Sequence, residues 1–369
     1  TPVSYNLANG QPTKFMVSQS ELNKPLSCRG VKLSSTSSFY ASMRVDDGLQ
    51  AEIMTGKGLS AAGKTFRLGG IPLADNRSDY NYTAGFMAIE PGITTVTLSG
   101  YTSGIMLDGS TKTSPSGPIT FTLSQGQTYV IAGTASDANA NLAGFLGTLV
   151  SADKNIVVSN GNIMGSMATG LNRDTYFDQP APANKLGTDH IVIEGNGGAT
   201  MEVPIVIAHS NNTQVFINGS ATPITTLNAG QYYAIPNSNY SGNGNMDIRT
   251  SQPAYVYQAL SGGSDQQGGL SVIPPFNCYL PREVDIPDAN KVGGINGNAW
   301  AMIYTQKGSV VSINGTAQTG ASAITGNSLW ETYKISISGN VKITSTGAMK
   351  VTLLRERGNA GWGGPFGGY

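Results

Sequence analysis

Residues 248–278, IRTSQPAYVYQALSGGSDQQGGLSVIPPFNC, limit the fold more than any other stretch, because their first half recurs three more times along the chain. The pattern is a strand, a turn at Gln252-Pro253, an alternating strand over 254–257, a loop of Gly, Ser and Gln, and a Pro-Pro stop before Cys278. Apolar and polar residues alternate over four to six positions between Gly, Pro, Asn or Asp. That is strand spacing, not helix spacing.

The unit reads whole from residue 86, with strands at 86–89, 95–99, 119–123, 128–131, 149–152 and 156–159, the last two parted by an Asp-Lys-Asn turn. A second copy has strands at 204–208, 214–217, 224–227, 231–233, 246–250 and 254–257. A third has them at 300–304, 310–313, 329–335, 341–344 and 349–353. Gly100, Gly219 and Gly315 close the same strand in each copy and lie 119 and 96 residues apart. Ser35, Ser151, Thr250 and Thr344 precede the last strand pair and lie 116, 99 and 94 apart. A period near 95 with one longer insertion exceeds a propeller blade of about 40–50 residues. It approaches the ~100 residues of a seven-stranded sandwich.

The expectation is therefore an all-β chain of tandem repeated β-sandwich-like modules, with a closed β-propeller-like ring as the alternative. The predicted divisions are 1–83, a partial first repeat with an irregular insertion, then 84–185, 186–277 and 278–369, the last with a Gly-rich tail. Because the chain starts inside a repeat, it reads as a piece of something longer. A short helix is predicted at 59–63, a polar loop at 74–82, and a Gly-rich, aromatic-bearing tail at which either the sheet continues beyond residue 369 or the end frays.

Charged residues make up 12% of the chain and the net charge is zero. That balance excludes the one-sided basic face that nucleic acid or an anionic membrane requires. No run of 18 apolar residues predicts a membrane span, and the first residues, TPVSYNLANG, lack a basic-then-apolar signal pattern. If the protein is exported, the address lies outside this chain. The two cysteines, Cys28 and Cys278, form no CxxC motif. They either bridge, closing a loop of about 250 residues worth roughly 4–5 kcal/mol on the chain-entropy model, or remain two buried thiols.

Catalytic motifs are missing: there is no HExxH, no GxSxG and no phosphate loop leading into a helix. His190 and His209 lie beside predicted strands in non-equivalent places and read as structural. Asp46-Asp47 and the pair Glu194 and Glu202 are the carboxylate pairs that glycosidic chemistry could use, and both read as turn or loop residues. Calcium takes loop oxygens, so Asp137, Asn139 and Asn141, at alternate positions of SDANANLAG, are candidate ligands. Turns use the same residue types. Tyr80 and Tyr82, in the predicted loop, are candidate sugar-stacking platforms. Trp300 and Trp330 fall on predicted strands and read as core. Asn218-Gly219 and Asn314-Gly315 belong to sequons but recur at one place in the unit, which favours hairpin-turn chemistry.

Five segments in order carry a resemblance: KGLSAAGKTFRLGG (57–70), FMAIEPGITTVTLSGY (86–101), LSQGQTYVIAG (123–133), APANKLGTDHIVIEG (181–195) and YQALSGGSDQQGGLSVIPPFNC (257–278). The unit resembles the domain named after the N-terminal region of the IgGFc-binding protein, above all the version in large Bacteroidota surface proteins associated with gliding motility. The resemblance implies an exported, multi-module, extracellular, surface-attached adhesin that uses type IX secretion. It supplies no catalytic residue and no cofactor. Expected partners are a surface glycan or protein ligand, the rest of a larger adhesin chain, and bacterial export and motility machinery, with neither nucleic acid nor membrane insertion. The reading is of a non-enzymatic adhesin region. A carbohydrate-binding module and a pure spacer of a surface filament are the alternatives.

Overall fold

A computed structural model describes residues 30–37, 39–46, 49–109, 111–169, 173–261, 268–276, 280–292, 295–358 and 360–366. Among them the helical segments are short 3-10 turns, one of them Gly58–Ala61, where the sequence predicts a helix. The rest of the regular structure is strand. A hairpin of β1 (Ser42–Asp46) and β2 (Ala51–Thr55) leads. The first unit holds β3 (Gly63–Arg67), β4 (Asn81–Ala88), β5 (Ile93–Ser99), β6 (Ile119–Ser124), β7 (Thr128–Thr134), β8 (Leu149–Gly165) and β9 (Asp174–Asp178). The second holds β10 (Gly187–Ile193), β11 (Val203–Ala208), β12 (Thr213–Ile217), β13 (Thr225–Leu227), β14 (Tyr232–Ala234), β15 (Asn245–Leu260) and β16 (Gly269–Ile273). The third opens with β17 (Glu283–Ile286), β18 (Lys291–Val292), β19 (Ile295–Asn296), β20 (Asn298–Gln306), β21 (Val311–Ile313) and β22 (Thr316–Ala317). It closes with β23 (Ser322–Ile324), β24 (Asn327–Ile337), β25 (Val341–Ser345), β26 (Met349–Arg357) and β27 (Ala360–Phe366).

One plan serves all three units. In the first, the spine strand β8 lies between β3 and β5 along its first half and between β4 and β9 along its second. With β6 beyond β5 and β7 beyond β4, two layers, β6-β5-β8-β3 and β7-β4-β8-β9, share one spine. The second unit repeats this as β13-β12-β15-β10 and β14-β11-β15-β16. In the third the spine is broken into β25 and β26, giving the separate sheets β22-β21-β25-β17 and β23-β24-β20-β26-β27. These are sandwich-like modules in tandem, the architecture read from the sequence.

The spine corrects one detail. The segments 149–152 and 156–159 are not two strands around a turn but parts of β8, and β15 likewise runs through Gln252-Pro253. Polar and proline residues there bend a strand from one layer into the other, as at the corner of a sandwich, rather than reverse it. Pro253 has no N–H and falls between the registers with β12 and β11, where none is needed. In addition, β3 joins β8 as β10 joins β15 and β17 joins β25. The first sandwich therefore starts at Gly63, upstream of residue 84.

Repeat positions coincide in space. Ser151, Thr250 and Thr344 stand opposite Thr97, Val215 and Ser312 of the same strand in each unit. Asn218 and Gly219 have φ of 50° and 74°, and Asn314 and Gly315 have 50° and 82°. These pairs of left-handed residues are the two-residue hairpin turn that Asn-Gly favours.

Apolar surface fuses the units. Ile71, Leu73 and Tyr176 of the first pack with Tyr255, Tyr257 and Leu270 of the second. Ile193 and Leu260 of the second pack with Met302 and Leu354 of the third. Between the second and third units two glycines meet backbone to backbone: a Cβ on Gly326, at φ +77°, would lie 2.2 Å from the Gly219 nitrogen. Gly326→Ala combines a left-handed penalty of about 1–2 kcal/mol with a steric one. We expect it to lower the urea midpoint, whereas Gly339→Ala, equally left-handed but open to solvent, should show the first cost alone. Equal losses at both positions would remove the contact from the account.

Candidate functional site

The last strand of each unit, β9, β16 and β27, meets β2 at the centre of the molecule. In this ring β2 and β16 each neighbour both β9 and β27. The ring strands are not laddered to one another, so their inward N–H groups need other acceptors. Buried carboxylates supply them. Asp174 on β9 accepts from Ala51 N at 2.8 Å and Gly268 N at 3.0 Å, and Gly361 N also donates to it. Glu52 on β2 accepts from Phe177 N at 2.8 Å and Leu270 N at 3.1 Å. Asp178 accepts from Val272 N at 2.8 Å and from the Lys57 ammonium at 2.9 Å.

All three acids are fully buried. Burial drives the Glu52 and Asp174 carboxyls well above the usual range, and the donated N–H bonds oppose it. Burial likewise raises Asp178 and lowers Lys57, while each attracts the other's charged form. The facing strands are glycine-rich for room: a Cβ on Gly269 would lie 2.7 Å from Gly363 N, and one on Gly364 would lie 2.6 Å from Ile53 Cγ2. Of the two readings of the tail, residues 360–366 follow the sheet as β27, with Trp362 and Phe366 in the core.

A second charged group fastens the hairpin to the third unit. Asp46 accepts from Arg355 Nη1 and Arg357 Nη2, both at 2.9 Å, and the Asp46 and Arg355 side chains are wholly buried. Arg44 donates to Asp288 O and Pro287 O, each at 3.0 Å. Elsewhere, Glu202 binds the loop 195–198 through Gly195 N at 2.9 Å and Gly197 N at 3.2 Å, and holds Ser261 N at 2.7 Å. Burial pushes its carboxyl up to about 7. Glu194 accepts instead from Asn237. These acids are acceptors for the fold: Asp46, Glu194 and Glu202 of the sequence reading's pairs all serve so, and Asp47 lies outside the described residues.

The tyrosine pair and the calcium trio sit otherwise than expected. Tyr80 and Tyr82 are 0% and 1% exposed, so neither presents a ring to a sugar. Strand β4 starts at Asn81, and Tyr82, Ala84, Phe86 and Ala88 alternate into the core. Tyr82 stacks on Phe145 at 4.6 Å. The calcium trio is split as well. Asn141 is buried and exchanges hydrogen bonds with Met106 N and O, Asp137 pairs with Lys112, and Asn139 is exposed. Among the described residues no cluster of His, Cys, Asp and Glu could hold a metal. Trp330 stacks on Phe276 at 4.6 Å, between the second and third units. Cys28 and Cys278 lie outside the described residues.

His190 is buried with both ring nitrogens unpartnered, and burial lowers its pKa to about 3. The fold keeps it neutral, while the unfolded chain takes up a proton near 6.5. Its contribution is complete above pH 6.5 and is lost as pH falls toward 3, by up to about 5 kcal/mol. The raised carboxyls act oppositely, since Glu202 favours folding as pH drops from 7 to 4.5. The comparison is therefore between chains. Relative to wild type, His190→Leu should gain stability steadily between pH 6.5 and 4 in urea titrations, and parallel pH profiles would refute the assignment.

Buried polar groups spent on joining strands, and loops left outside, define an all-β repeat protein. The family described as IgGFc binding protein matches residues 57–354, and the chain belongs to that family. No curated protein matches the chain. A solved structure, an anti-sigma factor domain-containing protein from Clostridium clariflavum, aligns at 11% identity over 82% of this chain and 89% of that one, with a TM-score of 0.13. No helix among the described residues is long and apolar enough to cross a membrane.

Proposed function

We propose that the chain is a non-enzymatic, exported binding region of a large bacterial surface adhesin, and that recognition lies in the loop 100–118 of the first unit. One observation carries this reading. The loop is the long insertion of the repeat, replaced by the turn Asn314-Gly315 in the third unit, and it is anchored rather than slack. Ile105 and Leu107 enter the core, Leu107 bridges to Thr113, Tyr101 donates to Gly117 O, and Asp108 accepts from Thr134 at 2.8 Å. Its tip, with Thr111, Lys112, Thr113, Ser114 and Ser116, is exposed. A fixed polar loop loses little entropy on binding and suits a protein or glycan surface bound by many weak contacts. The Bacteroidota setting, type IX export and a part in gliding rest on the sequence resemblance alone.

Replacing the exposed tip side chains Thr111, Lys112, Thr113, Ser114 and Ser116 by alanine tests the assignment, since it leaves Ile105 and Leu107 in the core. Retention of chain-coated beads on arrays of glycans and extracellular proteins should fall by roughly tenfold or more, with the thermal transition preserved. Unchanged retention would move recognition elsewhere. An absence of retention by either chain would favour the spacer.

A further inference from the structure

We propose that the side chains of Lys57 and Asp178 are joined by an amide bond that the folded chain makes by itself. Lys57 lies two residues past β2, and Asp178 is the last residue of β9. Their meeting is fixed from both backbone and side chain. Lys57 N donates to Gln179 Oε1 at 3.0 Å, and Lys57 Nζ donates to Asp178 Oδ1 at 2.9 Å. The Lys57 side chain is 4% exposed and that of Asp178 not at all. The pairs Lys112–Asp137 and Lys342–Glu283 show the contrast, since their lysines are about half exposed. A nucleophile and a carboxyl group are thus held in contact, away from water, by two strands that lie far apart in the sequence.

The chemistry balances without a co-reactant. The amine nitrogen attacks the Asp178 carboxyl carbon, the C–N bond forms and the C–Oδ1 bond breaks. Oδ1 leaves as water with two of the three ammonium hydrogens, and both charges vanish. Oδ2 stays as the amide oxygen. Val272 N donates to it at 2.8 Å, so a backbone N–H already faces the oxygen on which negative charge gathers in the tetrahedral intermediate. Gln179 N donates to the departing Oδ1 at 2.7 Å. Burial favours the uncharged amine and acid from which the attack starts. Fixed contact replaces an encounter by an intramolecular step, and the bond removes two charges from a site that solvates them poorly. A second buried amine adds to this. Lys350 donates to Thr352 Oγ1, and burial lowers it to about 7, with the Asp178 charge opposing the shift and the Lys57 charge adding to it. Two lysines therefore lie within electrostatic reach of one carboxylate, and it is Lys57 that hydrogen-bonds to it.

The test is the intact mass of the 369-residue chain after folding and incubation at neutral pH, followed by reduction and denaturation. The wild type should be lighter than its sequence by one water, whereas Lys57→Arg and Asp178→Ala should each show their full sequence mass. Trypsin should release residues 45–64 and 174–185 as one branched peptide, uncut after Lys57. A wild-type chain at its full sequence mass would overturn the proposal. So would a water lost equally from Lys57→Arg, which marks cyclisation at Asp47-Gly48 or Asp108-Gly109, or a branched peptide in which Lys350 is joined to Asp178. The wild-type mass and its branched peptide decide the outcome even where a variant fails to fold.

Discussion

Asp174→Ala is expected to lower stability by about 3–9 kcal/mol, since each buried N–H left without an acceptor costs about 1–3 kcal/mol and three segments lose one. The N–H groups of Ala51, Gly268 and Gly361 all point at this carboxylate. They belong to segments that have no ladder with one another. A cooperative domain has about 5–15 kcal/mol in total, so the variant should unfold at far lower urea concentration or fail to accumulate folded. Asp174→Asn keeps one acceptor oxygen but turns an amide donor toward the other N–H, and should recover less than half of the loss. Thr95 N bonds the surface carboxylate of Asp153 at 2.9 Å, so Asp153→Ala is the control, expected to cost under about 1 kcal/mol. If the two alanine variants melt alike, the hub carboxylates do not hold the ring together.

Asp46→Ala is the second large effect. It leaves the Arg355 guanidinium buried with only Asn290 O at 3.3 Å and Ile295 O at 3.1 Å to receive its donors. Removing one partner of a buried pair costs about 3–5 kcal/mol, whereas removing both is often far cheaper. The double variant Asp46→Ala/Arg355→Met should therefore be more stable than Asp46→Ala alone, giving a coupling of at least about 1 kcal/mol in a denaturant cycle. Strict additivity would mean that the hairpin is held by β2 and its hub contacts, not by this pair.

Strand alternation and the Asn-Gly turns were legible because they are local: their signal is complete within a few residues. The spines show where locality stops helping. Asp153-Lys154-Asn155 has the composition of a reversal, and only the partners on either side of β8 make it a bend. Tyr80 and Tyr82 show the converse error. Their two-residue spacing with Ala84 and Phe86 was present in the sequence, but the polar residues between them read as loop, although in a half-buried strand those are the outward positions. The hub was illegible for a physical reason. An acid in AEIMT or DTYFD looks like a solvent-facing residue until the glycine-rich strands GLSVI and AGWGGPF are brought beside it. The faint trace was the coincidence of glycine with aromatic residues in a strand, which marks close backbone approach.

Because β2 and β27 are neighbours in the central ring, tension applied between the leading hairpin and the closing strand would bypass the three sandwiches and fall on the contacts of the ring itself. Resistance to such a pull would be set by a few buried hydrogen bonds between carboxylates and backbone.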